Sequence, residues 1–71
     1  MNIEEISAKV HQAYCEDYKK RNDKPYWTNG DYSKLDDSTK EIDRKTVRAV
    51  ASALGFKEEN GYFVQQQQGQ H

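Results

Sequence analysis

The 71-residue sequence predicts a mostly α-helical fold, with two main helices joined by an ordered aromatic loop and followed by a short C-terminal β-hairpin. Three observations lead to this prediction. Apolar residues recur every three or four positions in two separate segments, which is the helical period. Turn-forming residues interspersed with aromatic ones separate these segments. An Asn-Gly pair lies between two short β-prone runs near the C-terminus.

The first helix is predicted over residues 3–21. Its apolar stripe consists of Ile3, Ile6, Val10, Tyr14 and Tyr18. Asn2 is a suitable N-cap, and acidic residues follow it in the first turn, where the helix dipole favours negative charge. Basic residues occupy the last turn, so the cap, the charges and the period all predict the same element.

Residues 22–37 are predicted to form an ordered connection between the helices. Asn, Asp, Pro and Gly are frequent there and favour turns. Tyr26, Trp27, Tyr32 and Leu35 are distributed among them, and burying the rings would stabilise the loop. We therefore expect this segment to pack on the helices.

The second helix is predicted from Ser38 to about Leu54. Ser38 and Glu41 have the S-x-x-E spacing of a capping box, and Gly55 supplies a left-handed stop. At 100° per residue, one broad face collects Ile42, Thr46, Ala49, Val50, Ala53 and Leu54. The two alanines are small enough for another helix to approach closely.

Residues 56–64 are predicted to form a hairpin, because Asn60-Gly61 is the preferred pair for a type I′ turn. A lone hairpin is marginal in water, so this one must pack on the helices or pair with another chain. The Gln-rich segment 65–71 is predicted to be a disordered tail. Residues 1–64 then form a single domain.

The composition excludes several classes of protein. Only nine residues are Ile, Leu or Val and eight are aromatic, so rings must supply much of a small core. The net charge of −1 does not favour binding to nucleic acid or to an anionic membrane. No apolar run is long enough for a membrane span, and none forms a signal peptide. The single cysteine, Cys15, cannot form an internal disulfide, and we expect a reducing, cytoplasmic location.

The sequence also lacks the motifs of common catalytic and metal sites. It has no Gly-rich phosphate loop, no HExxH motif and no nucleophile elbow. One cysteine and two histidines without ligand spacing do not predict a metal site. We therefore expect a protein that is not an enzyme and has no metal or other cofactor.

The aromatic group Tyr26, Trp27 and Tyr32 is the most informative local feature. These rings could stack on a planar base, or they could simply form the core of a protein with few aliphatic residues. The core interpretation is favoured for the group as a whole, because Trp and Tyr dominate burial energetics.

A basic stripe of Lys40, Arg44 and Arg48 repeats at a spacing of four on the second helix. Arginine binds phosphate oxygens in a bidentate manner, so the stripe is a candidate anion site. A solvated helix face is the more common explanation of such a pattern.

Asp43 projects by helical angle into the apolar arc of the second helix, where a bare carboxylate would be costly. It needs a partner: a Tyr hydroxyl, the Trp27 indole N–H, His11, or backbone N–H groups of the loop. We expect Asp43 to tie the aromatic loop to the second helix.

His11 precedes Cys15 by one turn and could activate the thiol, but no third orienting group is recognisable. We therefore expect His11 to be a hydrogen-bonded histidine at the boundary of the core.

Four segments taken in order resemble the ryanodine-receptor repeat domain family: His11 to Tyr14, Tyr26 with Trp27, Tyr32 to Leu35, and Lys40 to Arg44. That family has a helix with H-x-x-Y or H-x-x-W, a loop bearing Trp, and a second helix with a K/R-x-x-N/D-R core. The resemblance covers residues 3–54. The chain departs from the pattern at Asp43, where Asn is common, in the Tyr that precedes the Trp, and in residues 56–71.

The resemblance implies six signature positions with mainly structural roles: His11, Tyr14, Trp27, Leu35, Asp43 and Arg44. Members of the family occur in tandem in eukaryotic calcium-release channels, where paired repeats have two-fold pseudosymmetry. They also occur as short free-standing proteins in bacteria and phages, the type that this chain resembles. Some channel copies are associated with adenine nucleotides, and free-standing copies are suspected of sensing or sequestering nucleotide-derived ligands.

The expected function is a non-catalytic binding module for a small nucleotide-type ligand, with Tyr26, Trp27 and Tyr32 stacking and Arg44 and Arg48 binding phosphate. The alternative is a protein-interaction or assembly module without a small ligand, which predicts an exposed apolar patch or hairpin edge. A winged-helix DNA binder is disfavoured by the acidic balance and the missing third helix.

A homodimer or higher homo-oligomer is also expected. The thin core, the small Ala49 and Ala53 on one helix face, and the paired repeats of the resembled family all favour it. A two-fold contact would bury the same patch on both subunits.

Overall fold

The structure, a computed structural model, describes residues 1–66 and confirms the predicted fold class. Its elements are helix α1 (Ile3–Asn22), a short 3₁₀ helix (Tyr32–Lys34), helix α2 (Asp37–Ala53) and strands β1 (Phe56–Glu59) and β2 (Tyr62–Gln65). The part of the predicted Gln-rich tail beyond residue 66 lies outside the described residues. Within residues 1–66, no helix combines the length and the apolar character needed to cross a bilayer.

Helix α1 begins and ends with the residue types that favour helix termini. The Asn2 side chain accepts hydrogen bonds from the Glu4 and Glu5 backbone N–H groups, at 2.7 and 3.3 Å, as predicted. Asp23 follows the helix in the left-handed conformation, with φ 53°, and its N–H donates to the Lys19 carbonyl.

After Ile3, the buried residues of α1 are shifted by one position along the chain from the predicted apolar stripe. Ile3, Ser7 and His11 are buried, whereas Tyr14 is 55% exposed. Ser7 has no accessible surface at all, so its small side chain belongs to the core of the fold. Ile3 of the predicted stripe is therefore in the core, whereas Ile6 and Val10 are only half-buried.

The loop between the helices is ordered by short-range hydrogen bonds. The Asp31 N–H donates to the Asn29 side chain at 2.8 Å, and the Ser33 N–H donates to Asp31 Oδ1 at 3.1 Å. Asp31 thereby caps the 3₁₀ helix that the sequence analysis did not predict, and this helix places Tyr32 in the core, 6% exposed.

The core interpretation of the aromatic group is correct for Tyr32 and wrong for Trp27. The Trp27 side chain is 71% exposed, while Tyr26 is half-buried. Tyr26 packs inward against α1, and its neighbour Trp27 is left facing solvent.

The predicted capping box at the start of α2 is wrong. The cap is Asp36, whose carboxylate accepts from the Thr39 N–H at 3.3 Å and from the Ser38 hydroxyl at 2.8 Å. Ser38 therefore lies inside the first turn, because a capping carboxylate two residues earlier already holds the free backbone donor. At the other end the helix stops at Ala53, and Gly55 adopts a φ of 91°, consistent with the predicted stop.

The most apolar face of helix α2 is exposed to solvent. Asp43 and Val47 are the buried residues of this helix. Ile42, Val50 and Leu54, which belong to the predicted apolar face, are 58%, 55% and 70% exposed. The contact with α1 thus uses a mixed polar and apolar line, and the broad apolar face has no partner within the described chain.

The C-terminal hairpin is antiparallel, with Phe56 opposite Gln65 and Glu59 opposite Tyr62. Asn60 and Gly61 form its two-residue turn with φ values of 54° and 85°, the left-handed pair of a type I′ turn. Strand β2 extends one residue beyond the predicted boundary. The Gln66 N–H donates to the Gly55 carbonyl at 2.7 Å, so the start of the predicted disordered tail is in fact ordered.

The N-terminus adds backbone hydrogen bonds to the free edge of β2. The Phe63 N–H donates to the Met1 carbonyl at 3.0 Å, and the Ile3 N–H donates to the Gly61 carbonyl at 2.7 Å. Asn2 forms an antiparallel bridge with Tyr62. The hairpin is therefore anchored to the start of α1, which provides the support that an isolated hairpin lacks.

Candidate functional site

Two polar clusters and one apolar groove contain most of the residues singled out from the sequence. The first cluster is centred on His11, which is 3% exposed. His11 Nδ1 lies 3.0 Å from Asp43 Oδ2, and Nε2 lies 2.7 Å from the Asn29 carbonyl oxygen. Thr28 Oγ1 and Cys15 Sγ are also near Nε2, at 3.2 and 3.6 Å.

Both ring nitrogens of His11 face oxygen acceptors. A carboxylate and a backbone carbonyl can only accept, so each bond requires an N–H on the ring. A ring nitrogen that donates in this way has no lone pair with which to accept a proton.

The cluster does not support nucleophilic chemistry at Cys15. Asp43 supplies an orienting carboxylate that the sequence analysis did not recognise, and so completes a Cys, His and Asp constellation. However, burial raises the pKa of the Cys15 thiol, and the charges of Asp43 and Glu16 raise it further. When Nε2 donates to the Asn29 carbonyl, it has no lone pair with which to accept the proton of the thiol.

The arrangement instead joins three parts of the fold. Asp43 belongs to α2, His11 to α1 and Asn29 to the loop, and the two hydrogen bonds connect them in series. The prediction that Asp43 is buried and has a partner is confirmed, with His11 as that partner.

The second cluster surrounds Arg44, whose side chain is 14% exposed. Its guanidinium donates to Glu4 Oε2 at 2.8 Å, to Asp37 Oδ1 at 3.0 Å and to Glu41 Oε1 at 3.3 Å. Tyr32 donates its phenolic O–H to Glu4 Oε1 at 2.8 Å. The carboxylates raise the pKa of Arg44, and hydrogen bonds from Arg44 lower the pKa of Glu4.

Arg48 is also engaged by carboxylates. It donates to Glu58 Oε1 at 2.6 Å and to Glu41 Oε2 at 2.7 Å. These two bonds raise the pKa of Arg48. Both predicted phosphate ligands, Arg44 and Arg48, therefore already hold acidic side chains of the same chain.

The predicted stacking residues are separated by their environments. The Tyr32 ring is buried, and Lys40 Nζ lies 5.4 Å from its centroid. Tyr26 packs edge-on against Tyr18 at 5.2 Å between centroids, and Trp27 lies 5.6 Å from Tyr26 at an interplanar angle of 44°. Trp27 and the half-buried Tyr26 are accessible to a ligand; the buried Tyr32 is not.

The remaining signature positions occupy ordinary structural environments. Leu35 is half-buried at the end of the 3₁₀ helix, and Tyr14 lies exposed on α1. Within residues 1–66, no group of three or more His, Cys, Asp or Glu side chains is arranged to hold a metal ion.

An apolar groove of about 370 Å³ runs between α1, α2 and the hairpin. Its lining residues are Met1, Ile6, Val10, Thr46, Val47, Val50, Ala51, Leu54, Phe56 and Phe63. None of their side chains is charged. We call this set of residues the apolar groove.

The sequence analysis identified only part of this groove. Three of its residues, Thr46, Val50 and Leu54, lie on the predicted apolar face of α2. Ile6 and Val10 come from the predicted stripe of α1, but that stripe was expected to be core. The hydrophobic period indicated which side chains share a face, but it could not show that two apolar faces open to the same side.

No protein-family model, curated protein or solved structure matches this chain.

Proposed function

We propose that this chain is a non-catalytic protein-interaction module whose binding surface is the apolar groove. The observation that supports the proposal is the exposure of uncharged, apolar side chains along the groove, with Val50 and Leu54 more than half exposed. Monomeric proteins rarely expose contiguous apolar patches larger than a few hundred Å², and larger ones mark interaction sites.

The polar clusters support this choice over a phosphate-binding function. A phosphate would have to displace Glu4, Asp37 and Glu41 from Arg44. It would then leave several carboxylates close together without their cation, which is unfavourable. The apolar groove carries no such cost.

Site-specific photo-crosslinking tests the proposal. Val50 is replaced by the photoreactive residue p-benzoylphenylalanine, and the protein is irradiated in an extract of its native cells. The control carries the same residue at Trp27, which is exposed but outside the groove. We expect a protein adduct from position 50 and none from position 27. Absence of an adduct at position 50 contradicts the proposal.

A small planar ligand is a second candidate, favoured by the exposed Trp27 ring beside Tyr26. Such a ligand would stack on Trp27 and quench its fluorescence, and Trp27 is the single tryptophan. Titration with adenine nucleotides and cyclic dinucleotides is expected to give saturable quenching, while ribose phosphate gives none. If the nucleotides quench free tryptophan as strongly as they quench Trp27 in the protein, the quenching is nonspecific and this candidate is wrong.

We also propose, as a separate point, that the chain is a distant member of the ryanodine-receptor repeat domain family and functions in the cytoplasm. The order and spacing of the segments around His11, Trp27 and Asp43 support the family assignment. The single, unpaired Cys15 supports a reducing compartment. Fractionation of the native cells tests the location.

A further inference from the structure

We propose that the occupant of the apolar groove is a second copy of this chain, bound through α2 in an antiparallel two-fold dimer. This inference rests on the proposed function and specifies the partner. Four features of the apolar face support it: its lack of charge, its shape, the charges at its flanks and its area.

The first feature is the absence of charged side chains from the lining of the apolar groove. A two-fold contact places the same patch of both copies together, so any charge there would face a like charge. Among residues 46–54, which cover the second half of α2 and its C-cap Leu54, Arg48 is the one charged residue. Its guanidinium is held by Glu41 and Glu58, and it does not line the groove.

The second feature is the shape of the apolar surface, which has both projecting side chains and a groove. Met1 and Leu54 project from it, 75% and 70% exposed, while Val47 lies at 5% exposure in the floor of the groove. A two-fold axis exchanges these features, so the projecting side chains of each copy can enter the groove of the other. The exposed Ala49 and Ala53 allow the two α2 helices to approach closely.

The third feature fixes the orientation. The last turn of α2 contains no basic residue, so its partial negative charge is not balanced by side chains of that turn. Lys45 is exposed beside the apolar face. An antiparallel pair brings Lys45 of each copy toward the C-terminal half of the partner's α2. A parallel pair would place the two lysines opposite each other.

The fourth feature is area. Five large side chains on this face are substantially exposed: Met1, Ile42, Val50, Leu54 and Phe56. At these fractions each exposes on the order of 100 Å². Together they supply on the order of 500 Å², more than half of the roughly 800 Å² per partner of a standard interface, and the groove walls and rim would have to supply the rest.

Sedimentation equilibrium of the full chain at tens to hundreds of micromolar tests the dimer. The wild type and the control Trp27→Glu are expected at twice the chain mass of 8.3 kDa. Val50→Glu and Leu54→Glu are expected at the chain mass, because each places a like charge on both sides of the contact. Both positions are solvent-exposed, so the helical circular dichroism should be unchanged.

Lys45→Glu provides a second measurement that does not alter the apolar surface. We expect it to weaken dimerisation about fivefold to tenfold, because it reverses the charge near the end of the partner helix. In a Cys15→Ala background, Val50→Cys should form a disulfide between copies on oxidation, since residue 50 lines the groove and is 55% exposed. Lys20→Cys, at the far end of α1, should not.

The possible outcomes separate this inference from the proposed function. A wild type that is monomeric throughout, or a Val50→Glu variant that is still dimeric, overturns the dimer. A position-50 adduct with a different protein also overturns the dimer while supporting the interaction function. Co-purification of a small apolar molecule in the groove, with a monomeric chain, overturns both.

Discussion

At the scale of single residues, His11 connects three parts of the molecule. Its ring is enclosed by α1, α2 and the loop, and its two nitrogens bond Asp43 and the Asn29 carbonyl. Removing one partner of a buried, charge-assisted pair leaves the other without compensation, which is costly.

We therefore expect Asp43→Asn to lower the free energy of unfolding by about 2 kcal/mol. In a double-mutant cycle with His11→Gln, the coupling energy should be about 1–3 kcal/mol. Urea denaturation followed by circular dichroism measures both. The control is Arg21→Gln, which breaks an exposed pair with Asp17 and should cost about 0.5 kcal/mol or less. A coupling energy near zero would show that the pair does not link the helices.

Ser7 leads to a prediction of opposite sign. Its hydroxyl is fully buried and makes no hydrogen bond of standard geometry among the described residues. It does lie close enough to the Tyr32 hydroxyl to lower the pKa of Tyr32 slightly. Ala is nearly the same size and is the best helix former. Ser7→Ala should therefore raise the free energy of unfolding by about 1 kcal/mol, measured by urea denaturation. A loss of stability would reveal a hydrogen bond absent from this structure.

At the scale of elements, the caps of the helices show how far local sequence patterns determine structure. Asn2, Gly55 and the Asn60-Gly61 turn act as predicted, because their effect depends on neighbouring backbone alone. The start of α2 does not, since Asp36 and Ser38 are both good caps and two residues apart. The pattern could not decide between them, and in the structure Asp36 is the residue that caps the helix.

Paired alanine substitutions test that assignment. Asp36→Ala should lower the thermal midpoint and cost about 1 kcal/mol, because it frees the Thr39 N–H. Ser38→Ala should cost about half as much or less, since its hydroxyl only donates to Asp36. Equal losses, or a larger loss for Ser38→Ala, would support the capping box of Ser38 and Glu41 instead.

The two clusters differ in how far the sequence predicts them. Helical angle alone placed Asp43 in the core, and charge balance demanded a partner. The Arg44 cluster could not be anticipated, because Glu4 lies forty residues away and Tyr32 reaches it only through an unpredicted 3₁₀ helix. Long side chains from separate elements meet according to how those elements pack, and the local pattern does not encode this.

At the scale of the whole molecule, the Arg44 cluster, which includes Glu4 and Tyr32, joins α1, the 3₁₀ helix and α2. It also makes the stability of the protein depend on pH. The pKa of Glu4 lies below 4.5, mainly because Arg44 donates hydrogen bonds to it. Its contribution is present above about pH 4.5 and is lost as the pH falls through the lowered value. The pKa of Tyr32 lies above 10, because of burial and the adjacent Glu4, so its contribution is lost as the pH rises through the raised value.

We expect the urea midpoint to be flat near neutral pH and to fall at both extremes. The acid decrease should be small, since the Glu4 side chain is 46% exposed. Glu4→Gln should reduce the acid decrease, and Tyr32→Phe should reduce the alkaline one. An alkaline decrease as steep in Tyr32→Phe as in the wild type would assign it to other groups.

The position of Met1 has a practical consequence for anyone who handles this protein. Its carbonyl accepts from the Phe63 N–H, and its side chain lines the apolar groove. Any affinity tag or fluorophore joined to the α-amino group would begin at the mouth of the groove and compete with whatever binds there. Reagents for purification or imaging should therefore be attached elsewhere, for example at the exposed lysines of the last turn of α1.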